Sequence, residues 1–141
     1  MKIALASDHA GFSLKEKLVS YLKSLGGEVL DLGPVSDLTV DYPDFATKVA
    51  QSIKAGSVDR GILICGSGIG MCMAANRFSN VRAAVLRSEE DAKMSRLHND
   101  ANVACLGGRV TGESEAKKFL KVFLETPFEG GRHARRVKKI K

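Results

Sequence analysis

The chain has 141 residues, 44% hydrophobic and 27% charged, with a net charge of +6. That length suits one domain, 1–141, with a real core, and no apolar run approaches the roughly 18 residues of a membrane span. The charge is uneven. Arg132, Arg135, Arg136, Lys138, Lys139 and Lys141 fall in the last ten residues without an acid, and removing these six from 22 basic residues leaves 16, equal to the 16 acidic ones. A nucleic-acid partner is not expected, because the tail offers no aromatic reader. The three cysteines, Cys65, Cys72 and Cys105, form no C-x-x-C pair. Reduced thiols in a cytoplasmic protein are the expectation, with no structural zinc. His9, His98 and His133 show no paired-ligand spacing either.

Lys2–Ala6 reads as a strand that begins at once, which argues against a signal peptide. A helix is expected from about Phe12 to Leu25, with Leu14, Leu18, Tyr21, Leu22 and Leu25 on one face. Gly26-Gly27 ends it, and Glu28–Leu32 follows as the second strand. Beyond a loop through Gly33-Pro34, a helix covers roughly Asp44–Ala55. The continuous apolar run Gly61–Cys65 suits a buried parallel strand, and Met71–Phe78 is rich in helix formers. Val81–Leu86 makes a fourth apolar run. Ser88 caps the next helix, with Glu89, Glu90 and Asp91 in the first turn where the helix dipole favours them. Asn102–Leu106 is the fifth strand and Ser114–Leu124 the next helix. The alternation predicts a single Rossmann-like α/β/α sandwich with a five-stranded parallel sheet and a basic C-terminal helical tail.

Such sheets bind ligands beyond the carboxyl ends of their strands. Strand one delivers Ser7, Asp8 and His9 there, strand three delivers Cys65 and Gly66-Ser67-Gly68-Ile69-Gly70, and strand five delivers Gly107-Gly108-Arg109. His98-Asn99-Asp100 is expected on the same edge. A glycine loop can aim several N–H groups at an anion, and the same field favours a thiolate, the form a base or nucleophile needs. A dinucleotide site is the less favoured reading of this loop, since Met71 stands where the fingerprint's third glycine is required, and no Walker lysine follows. Cys72 and Cys105 read as core, and Tyr42 stays open between lining a pocket and packing a loop.

Six separated motifs complete the pattern: Ser7-Asp8-His9-Ala10-Gly11, Asp41-Tyr42-Pro43, Cys65 to Gly70, Ala74-Ala75-Asn76, His98 to Asn102, and Glu129-Gly130-Gly131-Arg132-His133. Together they resemble the ribose-5-phosphate isomerase B family, which includes allose- and galactose-phosphate isomerases. The resemblance implies an aldose–ketose isomerase that acts on a sugar phosphate as a homodimer or homotetramer, without metal or organic cofactor. It places the proton-abstracting base on Cys65 and the ring-opening acid/base on His98. Sugar binding falls on Asp8, His9, Gly66, Ser67, Gly68, Ile69, Gly70 and Asn99, and phosphate binding on Arg109, Arg132 and Arg136. Met71 occupies the position where a second subgroup carries a glutamate base, so the chain is expected to be of the cysteine type. Ribose 5-phosphate is the favoured substrate and a hexose 6-phosphate the alternative; a non-catalytic nucleotide-binding domain is the remaining one. The tail from about 128 to 141 is expected to contact a partner subunit.

Overall fold

The computed structural model describes residues 1–140. Five parallel strands, β1 (Lys2–Ser7), β2 (Glu28–Asp31), β3 (Arg60–Cys65), β4 (Ala83–Val85) and β5 (Val103–Gly107), form one sheet in the order β2-β1-β3-β5-β4. The helices are α1 (Phe12–Ser24), α2 (Tyr42–Lys54), α3 (Ile69–Ala75), α4 (Glu89–Leu97), α5 (Glu113–Glu125) and α6 (Arg132–Val137). The expected α/β/α sandwich and its basic helical tail are present.

Period-two alternation along β1 sends its side chains to two separate cores. Ile3 and Leu5 join Leu14, Leu18 and Leu22 of α1, Ala92 of α4, and Phe119, Leu120 and Phe123 of α5. Ala4 and Ala6 face Val49, Ala50 and Ile53 of α2 and Met71 and Ala75 of α3. Each large side chain so buried contributes about 1.5–3 kcal/mol. Lys15 on α1, fully buried, is paired with Asp31 at 2.7 Å and Glu16 at 2.8 Å.

Helix boundaries differ from expectation at two places. α2 starts at Tyr42 with Pro43 in its first turn, where a missing N–H costs nothing. α3 begins earlier than Met71 and is only about two turns long, because Gly68 at φ +81° turns the chain directly into it. β4 is shorter than its apolar run. The Asn76 side chain takes both the Ala83 N–H (2.8 Å) and its carbonyl (2.9 Å), closing this edge strand. Ser88 caps α4 as expected, its hydroxyl accepting from Asp91 N–H at 3.0 Å, an arrangement worth about 1 kcal/mol.

Candidate active site

β1 and β3 are neighbours, yet the chain leaves β1 on one side and β3 on the other, so their carboxyl ends open a crevice. Cys65 ends β3 there and is 5% exposed. The Gly68 N–H donates to Cys65 Sγ at 3.1 Å, which folds the glycine loop around the sulfur. Ile69 N–H donates to Ser67 Oγ at 3.2 Å. Two of the loop's N–H groups are therefore committed inside it, while those of Gly66, Ser67 and Gly70 are not. The loop is clamped from both sides. Gly108 N–H donates to the Cys65 carbonyl (2.7 Å) and Arg109 N–H to that of Gly66 (3.1 Å), while the Arg87 guanidinium donates to the Ser67 carbonyl at 2.9 Å.

An open cleft of about 640 Å³ lies above the sulfur, lined by Asp8, Tyr42, Ser67, Ile69, Met73 and Arg109 among others. Buried Asp8 accepts from Gly11 N–H at 3.1 Å, and His9 Nδ1 from Val40 N–H at 3.3 Å. Tyr42 belongs to the cleft as well as to the packing. Its ring would sit 2.7 Å from any Cβ placed on Gly70, so only glycine lets the loop pass beneath it. Ile69, Met73 and Val110 form an apolar rim, 50%, 70% and 58% exposed.

His98 and Asn99 are not on this edge. The expectation that they join Cys65 fails for a topological reason. A helix between parallel strands runs back from their carboxyl edge to their amino edge, so residues that follow α4 and precede β5 lie at the amino edge. The five residues of β5, at about 3.3 Å each, hold the two edges roughly 15 Å apart. The three arginines divide in the same way. Arg109 lines the Cys65 cleft, while Arg136 lines a second cleft of about 380 Å³ with His98, Asn99, His133, Val137 and Ile140. Arg132 stands exposed on the same short helix.

The amino-edge cluster is built by the segment before α6. Glu129 N–H donates to the Leu97 carbonyl at 3.1 Å and Arg96 Nε to that of Thr126 at 3.1 Å, docking this segment on the end of α4. Arg96 also holds Asp100 Oδ1 (2.8 Å), and Arg82 holds Asp100 Oδ2 (2.9 Å), fixing the turn after His98. The tail therefore docks through His133 on its own chain: the His133 and His98 rings stack with centroids 4.2 Å apart, 14° from parallel. Sequence spacing missed this pairing; only the Glu129–His133 step of four residues hinted at it. Donor atoms of His98, Glu129 and His133 lie within 4.8 Å of one another. Stacked rings, however, run their in-plane lone pairs side by side, whereas a metal ion needs them to converge.

Cys105 is fully buried, as expected of core, but Cys72 is only half-buried, its Sγ donating to the Ala83 carbonyl at 3.3 Å. A hydrogen bond from Cys105 pulls Cys72 down to about 7, and the same pairing together with burial pushes Cys105 well up. No helix is long and apolar enough to cross a membrane among the described residues.

The family model described as Ribose/Galactose Isomerase matches residues 3–140. Ribose-5-phosphate isomerase B of Escherichia coli (strain K12) is 46% identical over 139 residues, covering 99% of this chain and 93% of its own. The crystal structure of ribose-5-phosphate isomerase B from Mycoplasma genitalium with bound ribulose-5-phosphate superposes with a TM-score of 0.95 at 49% identity, covering 99% of this chain and 93% of that one. The Clostridium thermocellum ribose-5-phosphate isomerase B reaches a TM-score of 0.98, at 49% identity and 99% and 95% coverage. The chain belongs to the ribose/galactose isomerase family.

Proposed function

We propose that the chain interconverts ribose 5-phosphate and ribulose 5-phosphate at a site made by two copies of itself. The substrate rests on the near full-length similarity to a protein whose structure holds ribulose-5-phosphate. The shared site rests on one observation: the residues matched to one active site lie on opposite edges of the sheet within a single chain. The apolar rim of Ile69, Met73 and Val110 around the Cys65 cleft is the kind of surface a second copy would cover. A homodimer is the smallest closed assembly that pairs the two halves.

In this reading His98 of one copy takes the proton of the anomeric hydroxyl and delivers it to the ring oxygen as the C1–O bond to that oxygen breaks, which opens the ring. Cys65 of the other copy removes the proton from C2 and returns it at C1. The intervening enediolate carries its charge on oxygen, which the N–H groups of Gly66, Ser67 and Gly70 can hold. Asp8, His9 and Asn99 hold the sugar hydroxyls. The phosphate falls to Arg109 of the Cys65 copy and to Arg132 and Arg136 of the His98 copy, as guanidinium forks suit phosphate oxygens. Only protons move, so the chemistry calls for no metal and no organic cofactor, and the free thiol fits a cytoplasmic enzyme.

The family description also names galactose, so a hexose 6-phosphate is the second reading. Turnover measured over ribose 5-phosphate, allose 6-phosphate and galactose 6-phosphate decides between them. The pentose should show the largest kcat/KM; a hexose preferred by more than about tenfold, or roughly 1.4 kcal/mol, would replace it.

A further inference from the structure

Glu129 and His133 have no role in the reaction as written above, yet both are held against the ring-opening residue. Glu129 Oε2 lies 3.7 Å from His98 Nε2 and 3.6 Å from His133 Nε2. His133 Nε2 is buried and has no partner within hydrogen-bond distance. The carboxylate is half-exposed, 52% by side chain, and its backbone is pinned to Leu97. A swing of about 1 Å would close both gaps to ordinary hydrogen bonds. One carboxylate oxygen has two lone pairs and can accept from both rings at once.

We infer that Glu129 and His133 are positioning residues for His98: the carboxylate fixes the proton of the neutral imidazole on Nε2, and the stacked ring fixes its plane. Nδ1 of His98 is then left as the unprotonated nitrogen that meets the sugar, able to take the anomeric proton and hand it to the ring oxygen. A histidine's working nitrogen is set by the hydrogen bond its other nitrogen makes, and the logic is that of a carboxylate orienting the general base of a hydrolase triad. Burial and the neighbouring His98 both lower the proton affinity of His133, so it stays neutral and leaves the carboxylate's charge to its neighbour. The other charges nearby are accounted for. Asp100 is taken by Arg82 and Arg96, and Arg132 and Arg136 project from α6 for the phosphate.

The inference rests on the ring-opening role given to His98 above, and the experiment separates the two. Glu129→Gln keeps shape and removes charge at a half-exposed position, so the fold should survive. For ribose 5-phosphate, kcat should fall at least tenfold with KM changed less than threefold, in the range seen when a residue behind a working histidine is lost. With saturating ribulose 5-phosphate, which cannot close to a ring, kcat should fall less than threefold while its KM changes to preserve the overall equilibrium, and Glu129→Asp should recover part of the forward loss. In the substrate-free enzyme, ¹⁵N chemical shifts should show the His98 proton on Nε2 and a mixed population in Glu129→Gln. An unchanged tautomer, an unchanged forward kcat, or equal loss in both directions overturns the inference. If the parent enzyme turns over no ribose 5-phosphate, the proposed substrate fails instead, while the tautomer measurement still reads the Glu129–His98 link.

Discussion

The N–H of Gly68 points at the sulfur of Cys65 across 3.1 Å. A backbone donor so placed holds the sulfur at the mouth of the glycine loop and turns the loop toward the same point. Serine would fit the space but is a far weaker base near neutrality. Cys65→Ser should therefore fold, retain sugar-phosphate binding, and lose roughly a hundredfold or more in kcat. Isothermal titration with ribose 5-phosphate and steady-state kinetics on the same preparation check this; a kcat within a few-fold of the parent would remove Cys65 from the mechanism.

Gly68 itself should be irreplaceable. It sits at φ +81°, and a Cβ there would lie 3.0 Å from the carbonyl carbon of Leu106 in β5. Alanine would pay about 1–2 kcal/mol for the left-handed conformation alone and would press the loop away from the sheet. Gly68→Ala should lower the melting temperature and cut activity at least about tenfold, since loop N–H groups act only when aimed. A crystal structure showing an unmoved loop, with full activity, would contradict this account.

Thiol labelling should separate the three cysteines by pH. With Cys72 lowered to about 7, its thiolate fraction rises as pH climbs from 6 to 8, and alkylation by iodoacetamide should rise with it. Cys105, raised and fully buried, should stay unlabelled in the native protein. Sugar phosphate should shield Cys65 and leave Cys72 unchanged, as read by peptide mass spectrometry. Loss of activity that tracks Cys72 labelling rather than Cys65 labelling would reverse the assignment of the base.

His98→Asn should slow ribose 5-phosphate turnover by roughly a hundredfold and harm kcat at saturating ribulose 5-phosphate much less. The difference isolates ring opening from carbon proton transfer. Equal damage in the two directions would mean that His98 serves both steps.

Sequence order made the fold legible, because alternating apolar runs and amphipathic stretches leave few arrangements other than a parallel sheet between helix layers. The Cys65 half of the site was legible for the same reason, being one continuous strand–loop–helix. The position of His98 was not. Its motif was plain, but a motif carries no information on which edge its helix returns to until the direction of α4 is followed through the sheet. Glu129 and His133 were hidden differently. Their partner is more than thirty residues away, and the stack that joins them depends on the segment from Thr126 to Glu129 docking on α4. Arg87 was missed because its contact is with a backbone carbonyl, that of Ser67, which leaves no trace in residue type.

The opposite-edge placement of Cys65 and His98 makes the shared site testable by mixing. A Cys65→Ser homodimer and a His98→Asn homodimer each carry two defective sites. In a mixed dimer one site combines both lesions, while the other receives Cys65 from one chain and His98 from the other and is intact. Random exchange of equal amounts makes half the dimers mixed, with one of two sites working, so activity should rise to about a quarter of the parent's from near zero. The same should hold when Arg136→Ala replaces His98→Asn, since both residues line the amino-edge cleft. Exchange is verified independently by native mass spectrometry of a size-tagged chain. If mixed dimers form and activity stays at the level of the two variants, each chain supplies its own complete set and the shared-site reading is wrong.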